Sequence, residues 1–278
     1  MKNQKVWLIT GASKGLGLTF VKKLLAKGER VAATSRNVQD LISTAGTHDN
    51  FLPIAVNLVN EESVEQAIGQ AITKFGRIDV LVNNAGYGML GALEELSDQE
   101  ARENFDVNVF GSLNTIRKVL PQMRKQASGH IFNISSIGGF SGNFPGFGIY
   151  CATKFADAGF TESLAAEIKS LGIKATVVEP GYFRTSFLSA GSLAVPKNAI
   201  EAYESVRNSQ SAHQNDINNQ QPGDPEKAVD VMIAAAESEN PPLHLFLGPD
   251  AYQVAETKIA DVEKDMEQWK TLATATNF

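Results

Sequence analysis

A short apolar run, Lys5-Val6-Trp7-Leu8-Ile9, leads into Thr10-Gly11-Ala12-Ser13-Lys14-Gly15-Leu16-Gly17 and then into Phe20, Val21, Leu24 and Leu25 at helical spacing. Strand, glycine turn and helix in that order commit the chain to an α/β plan built on a buried strand. Gly11 permits the tight turn, Gly15 lets the backbone approach a phosphate, and Gly17 lets the helix lie close to the sheet. The free N–H groups at the start of such a helix point at an anion, here a pyrophosphate. A plain glycine-rich loop could carry the same three glycines; the strand before and the helix after favour the phosphate turn.

The pattern then repeats as alternating strands and helices. Apolar runs at 5–10, 30–34, 52–56, 78–82, 129–134, 173–178 and 243–247 are mostly continuous, as strands buried on both faces must be. Helical stretches near 15–27, 38–45, 61–75, 98–125, 149–171 and 225–237 lie between them. The expected fold is α/β: a doubly wound Rossmann fold, a seven-stranded, mostly parallel sheet with helices on both faces. There is no internal repeat and no linker, so residues 1–278 read as one dinucleotide-binding and catalytic domain. The weakly patterned stretch 186–224, rich in Ser, Asn and Gln, is expected to form a lid over the site. Beyond Gly248-Pro249-Asp250 a helical extension occupies about 250–278.

A chain of 278 residues with 43% hydrophobic content buries a full core without staples. Its net charge of -6 and the lack of a Lys/Arg cluster argue against nucleic acid as a partner. No run reaches the length of a membrane span and no apolar leader precedes the first strand, so a cytoplasmic location is expected. Cys151 is the one cysteine; it reads as a packed or substrate-lining thiol rather than a nucleophile, since no His lies nearby in sequence. No metal site is expected.

Tyr150 and Lys154 stand four apart in Tyr150-Cys151-Ala152-Thr153-Lys154, on one face of a helix. A free tyrosine titrates near ~10 and exchanges protons poorly at neutral pH unless positive charge lowers that value. Lys154 is placed to lower it, and the hydroxyl of Ser136 can hydrogen-bond the oxygen that Tyr150 protonates. The spacing alone also occurs by chance in many helices.

Taken together, these features resemble the short-chain dehydrogenase/reductase family in its single-domain form. The likeness runs from residue 5 to about 250. It rests on Thr10-Gly11 with Gly15 and Gly17, Asn83-Asn84-Ala85-Gly86 after the fourth strand, Asn108 within a long helix, Ser136, the Tyr150/Lys154 pair, and Pro180-Gly181 leading to Thr185. The resemblance implies catalysis by Asn108, Ser136, Tyr150 and Lys154, with Asn108 bending its helix and holding a water that links the lysine to solvent. It implies cofactor contacts from Thr10, Gly11, Ser13, Lys14, Gly15, Leu16, Gly17, Ser35 and Arg36. Asn57, Leu58, Asn84, Ala85, Gly86, Tyr150, Lys154, Pro180, Gly181, Phe183 and Thr185 complete that set. Two departures stand out: Ser136 and Tyr150 are fourteen apart where many members have thirteen, with Ser135 as the neighbouring alternative, and Asn57 replaces a common Asp at the adenine. A glycine-rich loop absorbs the first, and an amide oxygen can still accept the adenine hydrogen bond.

Charge then selects the cofactor. A ribose-gripping carboxylate normally ends the second strand, roughly 20 residues past the glycine turn. Thr34-Ser35-Arg36 supplies none; Arg36 and Lys14 suit a phosphate, so NADP(H) is expected over NAD(H). Tyr87, Met89, Leu90, Ile137, Phe144, Phe147, Tyr182, Phe183 and Phe187 are expected to line a pocket for a hydrophobic ketone, aldehyde or alcohol. The run 179–185 and the C-terminal extension are most similar to the 17β-hydroxysteroid dehydrogenase-like and retinol dehydrogenase-like branch. A homodimer through 98–125 and 149–171 is expected from their apolar stripes. A 3-oxoacyl carrier-protein reductase is an alternative that needs a basic docking patch, and a non-catalytic NADP(H)-binding sensor or scaffold is an alternative of another class.

Overall fold

The computed structural model describes residues 4–189 and 191–278; residues 1–3 of the expected domain and 190 of the expected lid lie outside the described residues. In chain order the elements are β1 (Val6–Ile9), α1 (Gly15–Ala26), β2 (Arg30–Ser35), α2 (Val38–Ala45), β3 (Phe51–Ala55), α3 (Glu61–Phe75), β4 (Val80–Asn83) and β5 (Gly88–Met89). Then come α4 (Asp98–Phe105), α5 (Gly111–Gln126), β6 (Gly129–Ile134), α6 (Gly148–Ile168), β7 (Ile173–Pro180), β8 (Leu193–Ala194), α7 (Glu204–Ser211), α8 (Pro225–Glu237), β9 (His244–Leu247) and α9 (Pro249–Ala273).

Seven strands form one sheet in the order β3-β2-β1-β4-β6-β7-β9, and every pairing in it is parallel. Alternation along each strand splits the core in two. Trp7 and Ile9 face α1 and α8 with Phe20, Leu24, Val229 and Met232, whereas Leu8 faces α3, α5 and α6 with Ile68, Val119 and Leu164. Burial on both faces explains why the strands read as unbroken apolar runs. The strand order reverses between β1 and β4, which opens a crevice at the carboxyl ends of the sheet, the usual ligand position in such folds.

Local signals set the helix ends. Asn60 caps α3 through Ser63 N–H, Gly76 closes it at φ +80°, and Ser97 with Glu100 forms a reciprocal capping box at α4. The stretch expected as one helix over 98–125 is instead α4 and α5 joined by a widened π turn at Asp106–Phe110, with Asn108 inside it. Such widened turns release side chains and backbone from regular spacing and are frequent at functional sites. The weakly patterned stretch after β7 carries short elements: β8 pairs with β5, and α7 runs into a second π turn, Ala212–Ile217. The C-terminal extension is a single helix, α9.

Candidate active site

The glycine turn after β1 is shaped by what lies against it. Gly11 sits at φ +63°, and a Cβ there would stand 2.7 Å from Ala85 Cα. A Cβ on Gly17 would meet Asn84 Nδ2 at 2.6 Å. Asn84 Nδ2 donates to the carbonyls of Thr10 and Gly11, at 2.9 and 3.0 Å, while Thr10 Oγ1 accepts from the N–H groups of Asn84 and Ala85. The turn and the loop after β4 are thus locked together, with Thr10 and Gly17 behind the crevice rather than in its wall. Helix α1 starts with no side-chain cap, so its first N–H groups have no such partner.

These loops open onto a cavity of about 810 Å³ that runs from the turn to Tyr150. Of the expected cofactor residues, Gly11, Ser13, Lys14, Gly15 and Leu16 line it from the turn, and Ser35, Arg36, Asn57 and Leu58 from the ends of β2 and β3. Asn84, Ala85 and Gly86 follow from β4, Tyr150 and Lys154 from α6, and Pro180, Gly181, Phe183 and Thr185 from the end of β7. Ser35 Oγ is held by the backbone of Asn37, at 2.5 Å to its carbonyl and 3.0 Å from its N–H. Among the described residues, the carboxylates in the cavity wall are Glu103 and Asp106, both beside Tyr87 and not at the end of β2. Asn57 Oδ1 accepts a long 3.3 Å bond from Val59 N–H. Thr185 Oγ1 accepts from Phe187 N–H at 3.3 Å. An uncapped helix start, glycines that leave room for close approach, and two cations, Arg36 just past β2 and Lys14 in the turn with its ammonium 3.2 Å from Gly191 O, fit a dinucleotide phosphate chain.

Ser136, Tyr150 and Lys154, the groups expected to react, sit where β6 and α6 meet. Ser136 Oγ accepts from Gly138 N–H at 3.1 Å and faces Tyr150, whereas Ser135 Oγ donates to Lys154 O at 2.8 Å. Of the two glycines that follow Ile137, Gly139 is required and Gly138 is tightly enclosed. A Cβ on Gly138 would stand 3.2 Å from Cys151 Sγ and 3.5 Å from Ser136 Oγ, and one on Gly139 would lie 2.5 Å from Lys154 O. Lys154 Nζ is buried, 5.9 Å from the Tyr150 ring centre, and donates to Ile134 O at 2.8 Å and Asp157 Oδ2 at 2.9 Å. Asn108 lies behind the wall. Its Oδ1 accepts from Tyr87 N–H at 3.0 Å, and its Nδ2 donates to Tyr87 O and to Thr153 Oγ1.

Electrostatics correct one expectation. Burial raises the Tyr150 pKa, and the opposing pull of Lys154 and Ser136 does not bring it below its ordinary value. Burial also pushes Asp157 up to about 6 against the attraction of Lys154. For Lys154, burial works against the ammonium but the Asp157 carboxylate and Tyr150 outweigh it, so its pKa lies above the ordinary value. The Cys151 thiol is pushed up to about 11 by burial and stays protonated at neutral pH.

The far end of the cavity is aromatic. Ile137, Phe144, Phe147, Tyr182, Phe183 and Phe187 line it with Tyr87, whereas Met89 and Leu90 are buried outside its wall, Leu90 in the apolar cluster behind it. Several site residues escaped the sequence reading. His213, in the second π turn, accepts from Tyr182 OH through Nε2 at 2.8 Å, because its Nδ1 carries the proton given to Ser209 O at 2.7 Å. Gln221 and Leu193 reach the wall from the same segment. Asp157 is one helical turn past Lys154 and reads from sequence as a helix-surface acid. Among the described residues, no group of three or more His, Cys, Asp or Glu is placed to hold a metal, and no helix is long and apolar enough to cross a membrane.

A doubly wound sheet with a glycine cradle at its switch point and Ser, Tyr and Lys beside it defines a dinucleotide-dependent oxidoreductase. The chain belongs to the short chain dehydrogenase family, whose model matches residues 5–193. It is 34% identical to Oxidoreductase BOA17 of Botryotinia fuckeliana, covering 98% of both chains. It is 36% identical to the 3-ketodihydrosphingosine reductase of Bacteroides thetaiotaomicron, covering 88% of both. The crystal structure of a short-chain dehydrogenase from Streptomyces avermitilis superposes with a TM-score of 0.91 at 36% identity, over 99% of this chain and 100% of that one. Other solved members hold NADP or NADH.

Proposed function

We propose that this protein reduces a hydrophobic ketone or aldehyde to the alcohol, reversibly, with NADP(H) as the preferred cofactor. The observation that carries the reading is the convergence of Ser136, Tyr150 and Lys154 at the junction between the glycine cradle and the aromatic half of one cavity. When bound, the nicotinamide supplies hydride to the carbonyl carbon. Tyr150 donates its phenolic proton to the carbonyl oxygen, and Ser136 holds the same oxygen by a hydrogen bond. The Lys154 ammonium stabilises the phenolate left behind, which regains a proton from solvent. Asn108 positions this machinery, since it ties the Tyr87 loop to Thr153 between Tyr150 and Lys154. Arg36 and Lys14 receive the extra phosphate that distinguishes NADP from NAD.

The apolar wall favours a substrate with a bulky hydrocarbon part, and the Tyr182–His213 pair gives that wall one polar point. The segment 186–224 acts as the lid over it. The run 179–185 keeps the 17β-hydroxysteroid dehydrogenase-like branch as the working sub-family. Phe110 and Phe155, both exposed on the helical side expected to dimerise, support a homodimer there.

The test is NADPH oxidation, followed with aliphatic, aromatic and steroidal ketones, in wild type and Tyr150→Phe. Turnover by wild type, lost by at least about a hundredfold in the variant with NADPH binding retained, is the expected result for a general acid. Tight NADPH binding with no turnover by wild type would instead support a sensor.

A further inference from the structure

Helix α9 is 25 residues long, about 37 Å, yet only its first turns rest on the rest of the protein. Ala251, Val254 and Ala255 pack with Ile137, Phe140 and Phe246. From Ile259 to Ala273 every residue is exposed, so about 22 Å of helix projects from the body. An isolated helix of that length is marginal in water unless one face is covered.

The projecting part carries a face to cover. Ile259 and Met266 stand seven residues apart, and Val262 and Trp269 fall three after each of them; Tyr252 and Ala255 continue the same spacing back to where the helix rests on the body. This is the a/d stripe of a coiled coil. Met266 and Trp269 are 67% and 63% exposed, and Leu272 flanks the seam at 71%. A strict seven-residue repeat supercoils helices about one another, whereas a helix on a globular core follows the 3.6 period.

We infer that the projecting half of α9 pairs in parallel with α9 of a second copy of this chain. The flanking charges select both the partner and its direction. In a parallel pair, a g position faces the e position five residues on in the other helix. That rule sets Lys258 against Glu263 of the second copy and Asp265 against Lys270 of the second copy, both of opposite sign, and symmetry doubles each contact. The antiparallel arrangement that seats Val262 against Met266 of the second copy brings Glu263 and Asp265 each beside its own counterpart, both like-charge contacts, and leaves only Glu256 beside Lys270 complementary. A lipid surface fits less well, because residues 256–270 hold five acids against three lysines, the wrong balance for anionic headgroups. The buried seam spans only about two heptads, so the pairing is a modest contact that dissociates on dilution unless another interface reinforces it.

The one native thiol, Cys151, is buried, so an introduced cysteine reports cleanly. Met266→Cys places identical residues opposite one another in the parallel pair. Mild oxidation of the full-length variant at about ten micromolar is expected to give a covalent dimer on a non-reducing gel. Lys264→Cys, on the outer face of the helix, is expected to give none. Lys258→Glu in the Met266→Cys background should cut the cross-linking rate several-fold, and adding Glu263→Lys to the same chain should restore it, since the reversed pair is again complementary. Equal linking at 264 and 266, or none at 266, overturns the inference. So does a link between Met266→Cys and Val262→Cys chains in a mixture in preference to 266 with itself, which would mean antiparallel helices. Sedimentation with phosphatidylcholine–phosphatidylglycerol vesicles, lost in Trp269→Glu, would assign the stripe to membrane and also overturn it.

Discussion

Removing the Glu95 carboxylate should open the segment between β7 and α8 without unfolding the sheet. The Glu95 side chain is fully buried, between α4 and that segment, and it accepts from Ala92 N–H at 2.7 Å and Ile200 N–H at 2.7 Å. It also receives Arg207 Nη2 on both oxygens, at 2.6 and 2.5 Å. Burial acts to raise its pKa, but the Ile200 and Ala92 N–H groups and Arg207 outweigh it and hold it below the ordinary carboxylate value. A depressed acid contributes stability above its unfolded pKa, near ~4.5, and loses it as pH falls through the folded value. Glu95→Ala orphans two backbone donors, at about 1–3 kcal/mol each, and leaves Arg207 unpaired. Breaking a buried pair costs about 3–5 kcal/mol, and since Arg207 is 30% exposed and can turn to water, the expected loss is about 3 kcal/mol. Glu95→Gln is expected to lose nearly as much, because its NH₂ meets a donor on one side.

That loss falls on a local opening, since Ile200 and Arg207 belong to the segment while the sheet is untouched. About 3 kcal/mol raises the open population roughly a hundredfold. Native-state proteolysis tracks that population, so cleavage within 197–221 should accelerate by up to about two orders of magnitude. The segment supplies Leu188, Leu193 and His213 to the cavity wall, so KM for the carbonyl substrate should rise with NADPH affinity nearly unchanged. Variants that match wild type in both cleavage rate and KM would refute the anchoring role. A fall in global melting temperature with no added cleavage in 197–221 would refute the local character of the opening.

Arg36→Glu should weaken NADPH binding by about ten- to a hundredfold, the worth of one charge-assisted phosphate bond, while NADH binding holds or improves; nucleotide titrations followed by fluorescence read both. Gly139→Ala should destabilise by about 2 kcal/mol and reduce kcat more than tenfold, because the added methyl overlaps the Lys154 carbonyl, whereas Gly142→Ala, whose nearest neighbour would be 3.8 Å away, should be silent in urea melts and turnover. His130, held neutral by burial to about 3 from its ordinary 6.5, contributes stability that is complete above about 6.5 and is lost as pH falls toward 3, roughly 5 kcal/mol in all. Urea midpoints against pH should show that slope in wild type and lose it in His130→Phe, which keeps the stack on Phe132.

The parts legible in the sequence are those whose cause is local. A parallel strand buried on both faces must be an apolar run, so the inner strands announced themselves, and the half-buried edge strands β3 and β9 were apolar enough to be read with them; Gly11 and Gly15 were required by their own positive φ. Tyr150 and Lys154 were legible because four residues on a helix is a fixed distance. The anchor at Glu95 had no such signal: its partners lie 105 and 112 residues away, and nothing around a lone acid tells a buried acceptor from a solvated one. His213 was hidden for the same reason, in a stretch whose short elements pack on the cavity instead of the sheet and so show no strong periodicity. The irregularity at Asn108 was expected only through the family resemblance, because inserting one residue into a helical turn leaves the apolar spacing on either side nearly intact.

Asp157 shows what a distance rule misses. A spacing of four put the Lys154 ammonium near the Tyr150 phenol, and from that alone the phenol should acidify. The fold adds two things: burial of both groups, and a carboxylate one turn further on that takes one of the ammonium's hydrogen bonds. Lys154 is therefore shared, its pull on the phenolate is partly cancelled by Asp157, and burial sets the net direction upward. A phenol above its ordinary pKa is fully protonated at neutral pH, so it stands ready as an acid and serves poorly as a base until more positive charge arrives beside it. A protonated phenol suits Tyr150 to the donor's role proposed for it in carbonyl reduction, and Arg36 and Lys14 at the other end of the cavity are the charges on which the proposed preference for the phosphorylated cofactor rests.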